Sequence, residues 1–482
     1  MKYSIPLLLL CTSTLNGCMV GPDFQHPDVV TQTHYNTDAD LLNGDQRLAI
    51  GQQIQAQWWT LFASKSLNDV IQQALQNNHD LAAAKETVAQ ANEFVQAERG
   101  GLLPQVAMTG TVGRQKYGAA LFGPADFSIP PFTYYELGPE ISWSPDLAGG
   151  KKRGIERQQA MAEYQLHQLD AAYVSLTAQV VQQTLAIATA QSEIAITQQL
   201  INEDEKNLKL VQTALQGGVA TQVDVLTAQS QLDADRATLP ALKQKQSIAQ
   251  HALAILVGSA PADWTPPNFS LNDFHLPQQL PLSLPSELVR QRPDILSAEA
   301  NLHAASATIG VATANLYPQV NLTGNILQEA LTPSGLLKSV NSAWALAAGL
   351  TAPMYQGGRL TAEKHAAEHG YQAALAQYKQ TILQSFAQVA DSLQALQHDH
   401  EEFEAQQQAV NTAHSFLQLS RKSYQAGSTG VLPVEDATRQ AYRTQLGLVR
   451  SQGQRLADTA QLFTALGGSP VQQSHDTPDQ SR

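Results

Sequence analysis

Two periodicities run through this chain. Tyr173, Val180, Ile187, Ile194, Ile201, Leu208 and Leu215 recur every seventh residue. Leu375, Ile382, Val389, Leu396, Phe403, Val410, Leu417 and Tyr424 do the same in a second stretch. A seven-residue repeat held this long predicts helices that supercoil to the left, because a straight helix drifts off such a stripe. The pattern places one helix from near Gly150 to Gln216 and another from Arg359 to Ala426. At 1.5 Å per residue each would be roughly 100 Å long, more than a globular core requires. Three residues after the heptad positions of the first helix come Leu176, Gln183, Ala190, Thr197, Asp204 and Val211, a mixed row. The apolar seam is therefore read as narrow, with a broad side facing water.

Four shorter segments alternate instead, the mark of strands with two unlike faces. They lie at 104–113, 135–143, 318–327 and 344–351. In the first, Val106, Met108 and Val112 oppose Thr109 and Thr111; in the second, Tyr135, Leu137, Ile141 and Trp143 oppose Glu136, Glu140 and Ser142. In the third, Val320, Leu322 and Ile326 oppose Asn321, Thr323 and Asn325; in the fourth, Trp344, Leu346, Ala348 and Leu350 oppose Ala345, Ala347, Gly349 and Thr351. Each has about the 9–11 residues that cross an outer membrane when tilted. Tyr135, Trp143, Tyr317 and Trp344 stand near strand ends, where aromatic girdles mark membrane interfaces. A small soluble sheet with one wet face is the alternative. Four strands cannot close a barrel, and open edges in lipid would leave backbone groups unpaired. Two copies would give eight strands and a filled interior, whereas three would give twelve and an open lumen.

The chain is written twice. LLPQVAMTG at 102–110 returns as LYPQVNLTG at 316–324, and the helix beginning at Asn78 returns at Arg292. DLAGGKKR from Asp146 is echoed by MYQGGRL from Met354, and ILVGSAP from Ile255 by TALGGSP from Thr464. The expected organisation is a first repeat at 66–258 and a second at 286–468. Each would run helix, hairpin strands, long helix, turn and helix, the last helices covering 220–258 and 431–466. A proline-rich linker, 259–285, would separate them, and a tail at 469–482 has no periodicity.

The N-terminus carries a targeting signal. Lys2, the run IPLLLL and the exit TSTLNGC form a secretory leader, residues 1–17, too short to span a bilayer as a helix. LNGC, Leu15 to Cys18, resembles the bacterial lipobox, which implies lipid attachment at Cys18, a lipidated segment at 18–65, and, with Met19 rather than Asp following, sorting to the outer membrane. The only cysteines are Cys11 and Cys18, so the mature body holds neither a disulfide nor a thiolate metal site.

Composition and chemistry narrow the function classes. A net charge of -13 argues against nucleic acid as a partner. Charged residues are only 15% of the chain and hydrophobic ones 43%, so Gln, Asn, Ser and Thr must supply much of the polar surface. LAGGKKRG lacks the spacing of a phosphate-binding loop, and neither a nucleophile elbow nor a paired-histidine zinc motif occurs. It reads as a turn that carries Lys151, Lys152 and Arg153 at the membrane edge. His398 and Glu402 have i, i+4 spacing that could hold a cation, but such a pair is more often a solvated face. No enzyme, cofactor or metal is expected; the chain reads as a passive, gated conduit.

Taken together and in duplicate, GCMVGPDFQHP, the LLPQV and LYPQV strands, the Gly-Gly junctions and the paired helix turns resemble the TolC-like outer membrane factors, and among them the NodT-type efflux lipoproteins. The resemblance implies a mainly α fold with a β-barrel: a homotrimer whose four strands per protomer share a 12-stranded barrel above a periplasmic α-helical barrel. It implies a periplasmic adaptor and an inner-membrane transporter as partners, outer membrane lipid as surroundings, and small-molecule export as the task. A duct for protein secretion and, from another class, a trimeric surface adhesin are the alternatives. Matched by position, Asp224, Tyr424 and Asp436 fall where the family narrows its periplasmic end, while Thr429 and Pro433 depart from its pattern. Thr221 followed by Asp224 also reads as a capping box, and Asp436 lies in a first helical turn, so capping stays open for both.

Overall fold

The computed structural model describes residues 19–28, 35, 45–117 and 129–468. Cys11, Cys18, the leader and the tail after 468 lie outside the described residues. The elements run β1 (Arg47–Ile50), α1 (Lys65–Asn77), α2 (His79–Gly100), β2 (Gln105–Gln115), β3 (Phe132–Trp143), α3 (Gly150–Gln216), α4 (Gln222–Leu256) and β4 (Gln279–Leu282), then α5 (Pro285–Leu288), α6 (Pro293–Ala314), β5 (Gln319–Ala330), β6 (Ser342–Thr351), α7 (Arg359–Gln425) and α8 (Leu432–Ala465). No described helix is long and apolar enough to cross a membrane.

Two compact units form, and each takes one part of both sequence copies. The first comprises residues up to 27, 87–165 and 298–378; the second comprises 28–86, 166–297 and 379 onward. The first unit holds a four-stranded antiparallel sheet in the order β2-β3-β5-β6. β3 begins at Phe132 and β5 continues to Ala330, so both strands extend three residues past the segment expected from alternation. The β3–β5 ladder skips Gly138 and Pro139. Pro139 has no N–H to give, and the break follows from that.

The second unit is a helical core. Val180, Ile187 and Ile201 of the first heptad stripe are buried, as are Val389, Leu396, Val410 and Leu417 of the second. The stripe is wider than the sequence suggests: Leu176, Ala190, Thr197 and Val211 of the mixed row are buried too. Thr184 and Thr197 turn their hydroxyls back onto the carbonyls of Val180 and Glu193, at 2.7 and 2.8 Å, so a polar letter buries without an unpaired group.

The stretch 45–64 enters this core as well. Trp58, Trp59 and Phe62 are almost wholly buried beside Phe463, with Trp58 and Phe463 rings 5.6 Å apart. The proline-rich stretch is also ordered into the core. β4 pairs in parallel with β1, and Phe269, Leu271 and Phe274 are buried. Pro281 is tolerated because a two-stranded sheet has only edge strands.

The two copies are tied off at matching points. Asn78, which divides α1 from α2, caps Leu81 N through Oδ1 and donates Nδ2 to Leu256 O, at the end of α4. Its counterpart Arg292 donates Nη1 to Ala465 O, at the end of α8.

Candidate functional site

In the first unit the ladder decides which residues share a face. Val106 opposes Ile141, Val112 opposes Tyr135, Trp143 opposes Leu322, and Ile326 opposes Trp344. Directly opposed residues project to the same side. One face thus collects Val106, Met108, Val112, Leu137, Ile141, Ile326, Trp344, Leu346 and Leu350, all exposed in the single chain. The other face pairs Thr111 with Glu136, Glu140 with Asn325, Ser142 with Thr323, and Thr323 with Ala347. The outer strands β2 and β6 each leave one edge unpaired by the described residues.

The aromatic residues separate to the two ends of the sheet. Trp143 closes β3 and Tyr317 precedes β5, at the end where helices join. Tyr135 and Trp344 stand near the loop end of β3 and β6. Eight residues part Tyr135 from Trp143, about 27 Å at strand rise, close to the height of a lipid-facing apolar band. Trp143 Nε1 donates to Leu102 O at 2.8 Å, which fixes the ring.

The strand-to-helix turn behaves otherwise than the sequence suggests. Arg153 is 1% exposed rather than free at a surface. Its guanidinium donates to Asp23 at 2.6 Å and Glu156 at 2.7 Å, and to the Val20 and Gly21 carbonyls. Phe24 stacks on His303 at 4.4 Å. The segment following Cys18 is therefore strapped to the first unit by a buried cation.

The helix turns belong to the second unit. α3 ends where Gly218 takes φ +74°, and α7 where Gly427 takes φ +71°, conformations that close a helix at little cost only in glycine. α4 then begins with a capping box: Asp224 Oδ2 accepts from Thr221 N at 2.7 Å and Thr221 Oγ1 at 2.8 Å. The backbone hydrogen bond, then the hydroxyl, holds the Asp224 carboxyl below the ordinary aspartate range. α8 begins at Val431 without a side-chain cap, with Pro433 in its first turn. Asp436 is held by Arg439 of the same helix at 2.6 Å.

Tyr424 lines a cavity of about 330 Å³ together with Asp204, Gln231, Arg421, Glu435 and Arg439. Asp224 and Asp436 are not among the residues that line it. The polar network in the cavity was not singled out from sequence. Asn207 of α3 donates to Glu435, Arg439 Nη1 to Gln231 Oε1 at 2.8 Å, and Arg421 to Glu203 at 3.5 Å. Its sequence signal was Asp204, the one charged residue in the mixed row.

His398 faces Glu401 at 3.4 Å rather than Glu402, so the i, i+4 pair is not formed. Among the described residues no group of three or more His, Cys, Asp or Glu is placed to hold a metal ion.

Comparison with known proteins places this geometry. The family model described as outer membrane efflux protein matches residues 70–259 and 284–468. A pyoverdine export outer membrane protein, OpmQ of Pseudomonas putida, is 32% identical over 422 residues, 85% of this chain and 87% of that protein. Outer membrane protein OprJ of Pseudomonas aeruginosa is 29% identical over 465 residues, 95% of each. The solved outer-membrane channel OprN superposes with a TM-score of 0.84 at 26% identity, covering 94% of this chain and 99% of that one. With both copies inside the match, the chain belongs to the outer membrane efflux protein family, a family of outer membrane channels rather than enzymes.

Proposed function

We propose that the protein is the outer membrane duct of a tripartite efflux system, a passive gated conduit that carries small molecules from an inner-membrane pump and periplasmic adaptor to the exterior. The carrying observation is the sheet: one apolar face, one small and polar face, and unpaired outer edges on β2 and β6. Such edges are costly in lipid unless neighbouring copies pair with them. Three copies give twelve strands around a wet lumen lined by Asn321, Thr323 and Asn325, with Val320, Leu322 and Ile326 toward lipid. Tyr135, Trp143, Tyr317 and Trp344 mark the two membrane interfaces, and an acyl-bearing Cys18 adds a second anchor.

Asp224, Tyr424 and Asp436 narrow the periplasmic end in this reading. Asp436 carries the constriction in this reading, since its side chain is exposed and makes no capping bond, whereas Asp224 closes a capping box with Thr221. Opening separates the helix turns when the adaptor engages, and the pump supplies the energy.

The test is edge pairing. Single cysteines at Thr109 in β2 and Ala347 in β6, bridged by a short bifunctional reagent in membranes, should give covalent species that stop at three chains. A ladder beyond three, or no cross-linking in correctly inserted protein, would sink the closed-barrel reading.

A further inference from the structure

Each copy carries a pair of facing aspartates inside its helical hairpin, and the conduit reading uses neither. Asp204 of α3 has a buried Oδ2 without a hydrogen-bond partner, and the Asp235 carboxyl of α4 stands beside it, one residue along from the Glu205–Arg236 pair that joins the same two helices at 2.6 Å. Asp399 of α7 is 9% exposed and its Oδ2 is likewise buried without a partner, and the Asp458 carboxyl of α8 stands beside it, near where Arg455 lies over the Phe403 ring at 4.6 Å. An ionised carboxylate only accepts, so two of them cannot hydrogen-bond to each other. Only a shared proton lets such a pair hydrogen-bond.

We propose that each helical hairpin is pinned by a proton shared across it, Asp204 with Asp235 in the first copy and Asp399 with Asp458 in the second, and that losing this proton loosens the helices. The proposal goes beyond the conduit reading and does not depend on where the channel narrows.

The surrounding charges do not replace the proton. Glu435 of α8 adds negative potential at Asp204, and Arg439 of α8 opposes it. That guanidinium already donates to Gln231 and Asp436. Glu203 is taken by Lys206 and Arg421, and Arg236 of α4 by Glu205. Gln231 Nε2 donates to Asp235 Oδ2 at 2.7 Å, which leaves that carboxylate a ready acceptor. In the second copy Glu402 of α7 adds negative potential and Arg455 of α8 opposes it. Arg455 lies over the Phe403 ring and reaches Asp45 at 3.7 Å. Gln454 Nε2 donates to Asp458 Oδ2 at 2.8 Å. His398 and His400 are turned to Glu401 and Glu404.

Burial first, then the partner aspartate, pushes Asp204 and Asp399 from 3.8 up to about 7. The folded chain therefore keeps protons that the unfolded chain releases. The stabilisation is full below the unfolded value of about 4 and is lost as pH rises through about 7.

The experiment uses the full-length assembled protein in detergent. Infrared difference spectra near pH 6 should show the carbonyl stretch of neutral carboxylic acids, weakened in Asp204→Asn and again in Asp399→Asn. Amide exchange, corrected for its intrinsic pH dependence, should show protection around 200–240 and 395–460 falling up to roughly tenfold per pH unit between about 4 and about 7 and levelling off above. The doubly substituted protein should lose that dependence, because an amide donates without ionising. Wild-type protection flat from pH 4 to 7, or a profile unaltered by the substitutions, overturns the proposal. A response in only one hairpin overturns it for the other.

Discussion

The two sequence copies follow one plan but differ at the same landmarks. After the strands, the first copy enters its long helix with Arg153 buried and clamped to Asp23 and Glu156. The second enters with Arg359 exposed and paired only to Glu363, between neighbours Met354 and Tyr355 that are 93% and 87% exposed. At the helix turn, the first copy closes a capping box with Asp224, whereas the second has no side-chain cap and leaves Asp436 to Arg439. Duplication preserved the elements, and the side chains then divided the labour. The first copy uses its junction charge to hold its own fold, whereas the second leaves Arg359 and Asp436 exposed and paired only within their own helices.

The largest expected effect is at the junction. Arg153→Ala removes a buried cation from its carboxylates and should cost about 3 kcal/mol in denaturant unfolding. Arg359→Ala should cost well under about 1 kcal/mol, as exposed ion pairs do. Equal losses would erase the contrast between the copies.

Next comes the sheet, where both copies present the same face. Leu322→Arg should cost about 2–4 kcal/mol if it meets lipid near mid-depth, and Leu137→Arg in the first copy should match it. Thr323→Arg should leave folded, inserted protein near normal amounts. Heat-modifiable mobility of membrane fractions reads all three.

At the helix turns the contrast is between fold and current. Thr221→Ala should lose about 1 kcal/mol, the usual worth of a cap, with little change in closed-state conductance. Asp436→Ala should leave stability unchanged and raise closed-state current in planar bilayers; an unaltered current would remove Asp436 from the constriction.

The smallest effect is acidic. The folded-state value of Asp224 is lowered, so its cap is present above the unfolded value near 3.8 and fades as pH falls through the folded one. Amide exchange at the first turn should quicken in acid, while the second turn, uncapped by a side chain, should show no such response.

Periodicity and duplication in the sequence were enough to determine the long helices, the four strands and their two faces. Those features repeat every seven or two residues, and each residue's neighbours along the chain carry the signal. The apolar set around Leu322 and the polar set around Thr323 were legible for that reason. The tertiary structure alone decided what the polar letters do. Arg153 was read as an edge cation, yet it is buried because Asp23 and Glu156 close on it. Trp58 and Trp59 pack beside Phe463, about four hundred residues away, and β4 finds β1 across more than two hundred. Asp204 and Asp399 interrupt their helices' buried faces, and only the packed neighbour helix shows that each interruption meets a second acid. A local pattern fixes which way a side chain points, but the partner waiting there is set by packing between distant segments, which no periodicity records.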